Sequence, residues 1–371
     1  MKEQDKDISK LEYQTGSSYK QIGVNPTDEC YTDFDDILTE LNYWARLDKF
    51  RGKNIICPCD WDIIEGEDIY SIEIIYSDNG IAVTGNNVER ITVSLWESPS
   101  KIVKIVIGED EMESFLRDKL TCNFVNVLTQ RARRWGIKSI TASGYNPANN
   151  MGYPFQSIDY SKYDICITNP PFSLYATFLE TILGKIDFIL LAPMLNRAVY
   201  CEGLPLMQGK LFLGKGRRLR LNFNNPTKEN KYSTKQVQCD WITSFPDRQR
   251  EVDKTLYSTG ISYEQHKHRF FQLENMTMRD GTHPIRLNNI RAMPDDYDGW
   301  MMASVTILDY LSNDYFEWYC TKFTSYYNEL PQERRPFMET DQSILKHDGK
   351  TLFTGIVFRK KPQPTSNLVD N

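Results

Sequence analysis

Asn169-Pro170-Pro171-Phe172 opens directly after the apolar run "YDICIT" and leads straight into "SLYATFLETIL". A residue before proline is biased toward an extended backbone, so the Asn169 side chain is expected at a strand tip. Pro170 and Pro171 fix φ and remove two N–H groups, which leaves a loop rich in carbonyl acceptors and nearly without donors. The ligand that suits such a wall has two N–H donors on one nitrogen, and Phe172 adds a flat apolar face for an aromatic ring. An exocyclic amine on a nucleobase fits. Such an amine is a poor nucleophile because its lone pair is delocalised into the ring. With Asn169 Oδ1 and the Pro170 carbonyl each accepting one N–H, the nitrogen is pushed toward tetrahedral geometry and its lone pair toward an electrophile. That is catalysis by positioning and fixed dipoles. A plain Pro-Pro turn would use the same four residues. The strand before them and the helix after them favour a site.

The elements that must hold this loop follow from hydrophobic period. In "DFDDILTELNYWARL", Phe34, Ile37, Leu38, Leu41 and Trp44 recur at helical spacing. A strand, "KNIICPCD", follows. The unit "CNFVNVLTQRARRWGIKSITASGYN" predicts a helix with Phe124, Val127 and Leu128 on one face, then a strand centred on Ile140. Next come "YDICIT", a helix from Leu174 to Leu183, and "KIDFILLAPM". This alternation predicts an α/β fold with parallel strands and right-handed crossovers, with ligands beyond the carboxyl ends of the strands.

Residues 62–120 interrupt the rhythm with "IYSIEIIYS", "GIAVTG", "RITVSLW" and "KIVKIVIG", separated by turn signals. They read as a small antiparallel, β-rich insertion. "KLFLGKGRRLRLNF" and "VQCDWITSF" predict two further strands that complete the sheet by residue 245. Residues 246–360 show no βα rhythm and read as a second module. The polar ends, 1–27 and 361–371, are expected to be mobile.

The chain of 371 residues and 43.3 kDa is long enough for two domains or one with insertions. Its charge of −6 argues against coating nucleic acid by bulk attraction, yet leaves local clusters free to act. The densest are Arg131-Ala132-Arg133-Arg134 and Lys215-Gly216-Arg217-Arg218-Leu219-Arg220, followed by His266-Lys267-His268-Arg269. Each is also compatible with a solvated face. No run is apolar enough to span a bilayer, and the charged N-terminus lacks an apolar secretion segment, so a cytoplasmic location away from membranes is expected. Of the eight cysteines, Cys57 and Cys166 lie in strand-like runs as small hydrophobes. Cys57 and Cys59 form C-x-C, but no ligand partners stand at metal-site spacing, and no metal is expected.

In order along the chain stand "DECYTDFDDILTEL", "FRGKNIICPCDWD", "CNFVNVLTQ", "YDICITNPPFSLY", "APMLNRAVY", "CDWITSF" and "PDDYDGWMMASVTILDYL". This series resembles the S-adenosylmethionine-dependent DNA adenine N6-methyltransferases, most specifically the EcoRI-type family. Asn-Pro-Pro-Phe alone also suits protein glutamine and RNA adenine methyltransferases, so the specificity lies in the series. The resemblance implies a Rossmann-like methyltransferase sheet over residues 28–245, carrying the 62–120 insertion, and a DNA target-recognition module over 246–360. It implies S-adenosyl-L-methionine as cofactor, double-stranded DNA with a flipped adenine as substrate, and a cognate restriction endonuclease as a genetic partner.

Residue by residue, the resemblance places Tyr31 and Thr32 against the methionine part of the cofactor, although Thr32 or Asp33 would also serve as a helix N-cap. It places Cys59 and Asp60 at the tip of the first strand, where this branch of the family is glycine-poor. The insertion splits that motif, and the Cys122-Asn123-Phe124 helix start then supplies its second half, with N–H groups of Asn123 facing the cofactor carboxylate. The second strand ends in Ser143-Gly144-Tyr145-Asn146 without the acid that many related enzymes use for the ribose. Phe155 is expected to pack on the cofactor adenine, with Asp159 nearby, and Arg217, Arg218 and Arg220 to track phosphates. The alternatives are an RNA adenine or protein glutamine methyltransferase, or a non-catalytic nucleic-acid-binding subunit of this fold.

Overall fold

Helix α1 (Phe34–Arg46) starts where the chain offers an acid for a cap. Asp33 is extended (φ −62°, ψ 142°) and its carboxylate accepts the Asp35 N–H at 2.8 Å, while Asp35 and Asp36 favour the positive end and Arg46 the negative end of the helix dipole. Ile37, Leu41 and Trp44 are fully buried, each contributing about 1.5–3 kcal/mol of apolar transfer. In this computed structural model, the residues described are 32–59, 71–77, 80–85, 105–107, 122–146, 151–194, 200–216, 219–222, 236–250, 257–274, 276–320, 346–347, 350–351 and 355–362. The N-terminal segment 1–27 and nearly all of 361–371 lie outside them.

Strands β1 (Asn54–Cys57), β2 (Ser71–Ser77), β3 (Gly80–Gly85), β4 (Ile105–Ile107) and β5 (Ser139–Ser143) precede a small hairpin, β6 (Tyr145–Asn146) and β7 (Met151–Gly152). After it come β8 (Ile165–Thr168), β9 (Asp187–Pro193), β10 (Phe212–Leu213), β11 (Leu219–Asn222) and β12 (Gln236–Thr243). All but the hairpin join one sheet in the order β10-β12-β9-β8-β1-β5-β2-β3-β4, with β11 also on β12. The four central strands, β5, β1, β8 and β9, are mutually parallel, and the flanking strands are antiparallel. The fold is mixed α/β.

Burial follows the two-residue period. Ile55, Cys57, Ile165, Ile167, Ile189, Leu191 and Trp241 face one core cluster with α1 and helix α2 (Asn123–Trp135). Ile56, Cys166, Phe188, Leu190 and Ile242 face the other, with helix α3 (Tyr175–Ile182) and part of helix α4 (Tyr200–Met207). Both faces are covered, as parallel strands require. Helix α2 ends at Gly136 in the left-handed region (φ 67°), where its N–H meets the Ala132 and Arg133 carbonyls and an added Cβ would press on Arg51 at 3.3 Å.

The strands expected within 62–120 do not form a separate layer. β2 pairs antiparallel with β5, β3 with β2 and β4 with β3, so they widen the main sheet at its edge. The segment "RITVSLW" lies outside the described residues. The C-terminal region builds a second sheet. It comprises β13 (Ile285–Arg286), β14 (Met301–Ser304) and β15 (Phe316–Cys320), with β18 (Gly355–Lys360) following a hairpin of β16 (Lys346–His347) and β17 (Lys350–Thr351). Its order is β13-β14-β18-β15, and Ile285, Met301, Phe316 and Phe358 share the core cluster of α3 and β9. No helix among the described residues is long and apolar enough to cross a membrane.

Candidate active site

The chain leaves β1 toward β5 through α2 on one face, and leaves β8 toward β9 through α3 on the other. The carboxyl ends of β1 and β8 are therefore the point at which the strand order reverses, where open α/β sheets place their ligands. Ile56 pairs with Cys166, so Cys59 departs from β1 at the level at which Asn169 departs from β8. Two predicted segments thus meet at this crevice by topology alone.

Asn169 follows the wholly buried strand Ile165–Thr168, and its Oδ1 is shielded from solvent. Pro170 is buried and Pro171 exposed, with φ −56° and ψ 121°. The Pro171 carbonyl accepts the Leu174 N–H at 2.9 Å and closes a 3-10 turn, Phe172–Leu174, ahead of α3. The predicted helix start at Leu174 is thus the end of this tighter turn. Phe172 is half-buried and packs against the core cluster that contains residues of α1 and α2.

Thr32 and Asn123 are brought together, because Asn123 Nδ2 donates to the Thr32 carbonyl at 2.9 Å. That bond ties the entry to α1 to the start of α2. The N-cap of α2, Cys122, makes no side-chain capping bond, and the first turn contains no acid. The first helical bond is Asn126 N–H to the Cys122 carbonyl at 2.9 Å, so the N–H groups of Asn123, Phe124 and Val125 have no intrahelical acceptor. Phe155 lies in a 3-10 turn, buried, its ring edge-on to Phe178 of α3 at 5.1 Å. Tyr160 donates to the Phe155 carbonyl at 3.0 Å, and burial pushes its phenol well above the ordinary range, aided by the nearby Cys166 and Cys59 thiols. Asp159 accepts from the Ser161 hydroxyl and N–H, which hold its carboxyl below the usual value, and it pairs with Lys162 at 3.7 Å.

Tyr31, Asp60, Arg217 and Arg218 lie outside the described residues. Arg220 is in β11 opposite Gln238. Two buried hydroxyls that the sequence did not single out, Ser143 Oγ and Thr168 Oγ1, also lie at this end of the molecule and, like the hydroxyl of the expected Thr32, find no hydrogen-bond partner among the described residues. Their only sequence signal was position, at or next to predicted strand and helix ends.

The sequence also missed Glu40, which falls on the inner face of α1 and is fully buried. Its carboxylate accepts Trp44 Nε1 at 2.7 Å, the Lys215 N–H at 3.0 Å and the Gly216 N–H at 2.6 Å. Burial raises its carboxyl above the ordinary value despite the lowering effect of the two backbone N–H groups and Trp44. The turn at 214–216 needs glycine, since a Cβ on Gly214 would stand 2.5 Å from Glu40 Oε1 and one on Gly216 2.7 Å from Trp241 Cδ1. Glu40 thereby anchors the start of the basic run that continues to Arg220.

The profile of the family described as "Adenine-specific methyltransferase EcoRI" matches residues 154–361, more than half of the chain. The chain belongs to this family. Its match takes in both the Asn169 turn and the whole second sheet, so the C-terminal region is part of the family pattern. A curated protein, Type II methyltransferase M.EcoRI of Escherichia coli, is 24% identical over 348 residues, covering 90% of this chain and 94% of that protein. That alignment is longer than the family match and extends beyond it.

Proposed function

We propose that the protein is a site-specific DNA adenine N6-methyltransferase that uses S-adenosyl-L-methionine on an extruded adenine. The observation that carries this reading is Asn169-Pro170-Pro171-Phe172 at the carboxyl end of β8, at the reversal of strand order, in a chain of the adenine-specific family. The chain's own groups fit the cofactor. The uncapped, acid-free start of α2 offers the N–H groups of Asn123 to Val125 to a carboxylate, with Thr32 bonded beside it. The buried hydroxyls of Ser143 and Thr168 stand at the tips of the two strands that flank β1, Ser143 where a ribose acid is missing. When bound, S-adenosylmethionine supplies a methyl group on a positively charged sulfur.

Asn169 Oδ1 and the Pro170 carbonyl accept the two N–H bonds of the adenine amine, and Phe172 stacks on the base. Phe172 is only half-buried, and the closed turn that follows Pro171 keeps the acceptors from relaxing. No carboxylate base is needed, since the proton leaves from a nitrogen made acidic by the transfer. Extruding the base costs a few kcal/mol, which contacts in the pocket must offset. We assign 28–245 to the catalytic part, with 62–120 as its insertion, and 246–360 to target recognition. Arg217, Arg218 and Arg220 are assigned to phosphates.

Purified protein is incubated with methyl-labelled S-adenosylmethionine and, separately, unmethylated genomic DNA, total RNA and a protein extract, followed by digestion and nucleoside chromatography. Label in N6-methyladenine from DNA, lost in Asn169→Ala, is the expected result. Label in RNA or in protein glutamine, or binding of cofactor without transfer, would replace this reading with the corresponding alternative.

A further inference from the structure

Among the described residues four large apolar side chains are conspicuously exposed, and two of them, Tyr153 (49%) and Leu174 (40%), stand at the carboxyl end of the parallel strands. Scattered exposed apolar residues need no explanation, but Leu174 breaks a local rule as well. It is the N-cap of α3, where serine, threonine, aspartate or asparagine would bond a helix N–H, and it makes no side-chain cap. The leucine therefore makes no capping bond and leaves 40% of its surface exposed in the protein alone. Local rules broken without local compensation concentrate at functional sites.

Leu174 ends the same turn that carries Asn169, and its backbone is pinned by the bond to the Pro171 carbonyl. One helical turn on, Phe178 is fully buried and packs edge-on to Phe155. Two residues before Phe155 stands Tyr153, whose N–H donates to the Gly144 carbonyl at 2.7 Å just beyond β5. The two exposed side chains thus stand two residues before Phe155 and four before Phe178 of the buried pair, with Tyr153 bonded just beyond β5 and Leu174 within the turn that follows β8.

We propose that Leu174 and Tyr153 form an apolar rim that contacts the bases flanking the gap when the target adenine leaves the duplex, replacing part of the lost stacking. The occupant is nucleic acid because the rim adjoins the acceptor loop for a base amine, and an aromatic ring and an aliphatic side chain both suit the flat face of a base. This inference rests on the proposed function, and the test separates the two. The wild type first maps its own target site by depositing N6-methyladenine in unmethylated plasmid DNA. No methylation of DNA there would remove the proposed function and the rim with it.

With the site mapped, Leu174→Ala and Tyr153→Ala are compared on a matched duplex and on one with an abasic position opposite the target adenine. On the matched duplex kcat/KM falls about tenfold for each, the size expected for losing part of one buried side chain. On the abasic duplex, where unpairing is already done, the loss stays within about twofold. Fluorescence of 2-aminopurine at the target position rises on binding wild type and less with either variant. Leu174→Met and Tyr153→Phe retain the matched-duplex rate. Leu174→Ser supplies the missing cap oxygen, so its Tm rises by about 1–2 °C while its rate on the matched duplex falls. Equal losses on the two duplexes, unchanged rates, or a Leu174→Ser protein that loses stability and activity together would overturn the rim.

Discussion

At the tips of β5 and β8 the hydroxyls of Ser143 and Thr168 are buried with no hydrogen-bond partner among the described residues. In the C-terminal region the corresponding groups are engaged: Thr259 Oγ1 donates to the Met293 carbonyl at 2.5 Å, Ser262 Oγ to Asp296 at 2.6 Å and Thr282 Oγ1 to Asp280 at 2.6 Å. An unpartnered buried hydroxyl costs about 1–3 kcal/mol, a penalty that the strand tips carry and these bonded loop hydroxyls do not. The carboxylates are shifted in opposite directions, although both are hydrogen-bonded. Burial raises Glu40, whereas the Ser262 hydroxyl and the Tyr263 N–H hold Asp296 low. At the strand tips these hydroxyls are the polar groups that the proposed function assigns to a bound cofactor. Among the described residues of the C-terminal sheet no buried side-chain polar atom is left without a partner, as suits a platform that must hold its shape.

The largest effect that would sharpen this contrast is on chemistry. Asn169→Ala is expected to lower methyl transfer about 100- to 1,000-fold, the scale of removing one oriented group from a reacting centre, with little change in Tm. A large drop in Tm would instead assign Asn169 to the fold. Next in size is Glu40→Ala, which strands three donors in the interior and should cost about 3 kcal/mol in urea unfolding. Asp280→Ala, at the half-exposed bond to Trp300 Nε1 (3.1 Å), should cost about 1 kcal/mol after solvent screening. If the two losses are equal, the distinction between buried anchor and surface clasp fails.

The same replacement made in both regions should change sign. Thr168→Val removes a hydroxyl with nothing to bond and should stabilise the unliganded protein by about 1 kcal/mol, while Thr259→Val removes a bonded one and should destabilise it by about as much. Two destabilised variants would show that Thr168 has a partner in solution. The smallest effects are in pH dependence. The Glu40 carboxyl, raised above its ordinary 4.5, contributes stability in full below that value and loses it as pH rises through the elevated one. The deficit of Glu40→Gln is therefore largest in acid and shrinks with rising pH. Asp296, lowered from 3.8, contributes above that value and loses it as pH falls through the depressed one, so the deficit of Asp296→Asn is present near neutrality and vanishes in acid. Tm profiles of each variant against wild type would read both slopes.

Local pattern located most of the main sheet. The apolar spacing of Ile37, Leu41 and Trp44 marks α1, and "YDICIT", "DFILLAP" and "QCDWIT" are strands because their β-branched or apolar runs fill both faces of a covered sheet. Of the strands expected in 62–120, β2, β3 and β4 were legible as strands but not as an extension of β5, since an edge pairing leaves no mark in either partner's own sequence. The second sheet was not legible as a sheet. Its short strands are separated by 3-10 turns such as Ile290–Ala292 and Val305–Asp309, which blur the two-residue period.

The sequence by itself determined the acceptor-rich chemistry of Asn169-Pro170-Pro171-Phe172 and its place between a strand and a helix, because proline geometry and hydrophobic period are local properties. Only the tertiary structure decided that Cys59 and Asn169 leave their strands at one level, that Asn123 bonds the Thr32 carbonyl, and that Glu40 closes on Lys215 and Gly216. Those contacts join residues more than 90 apart in the chain, and Glu40 to Gly216 spans 176. Their existence depends on strand order and helix packing, which no local window of sequence contains.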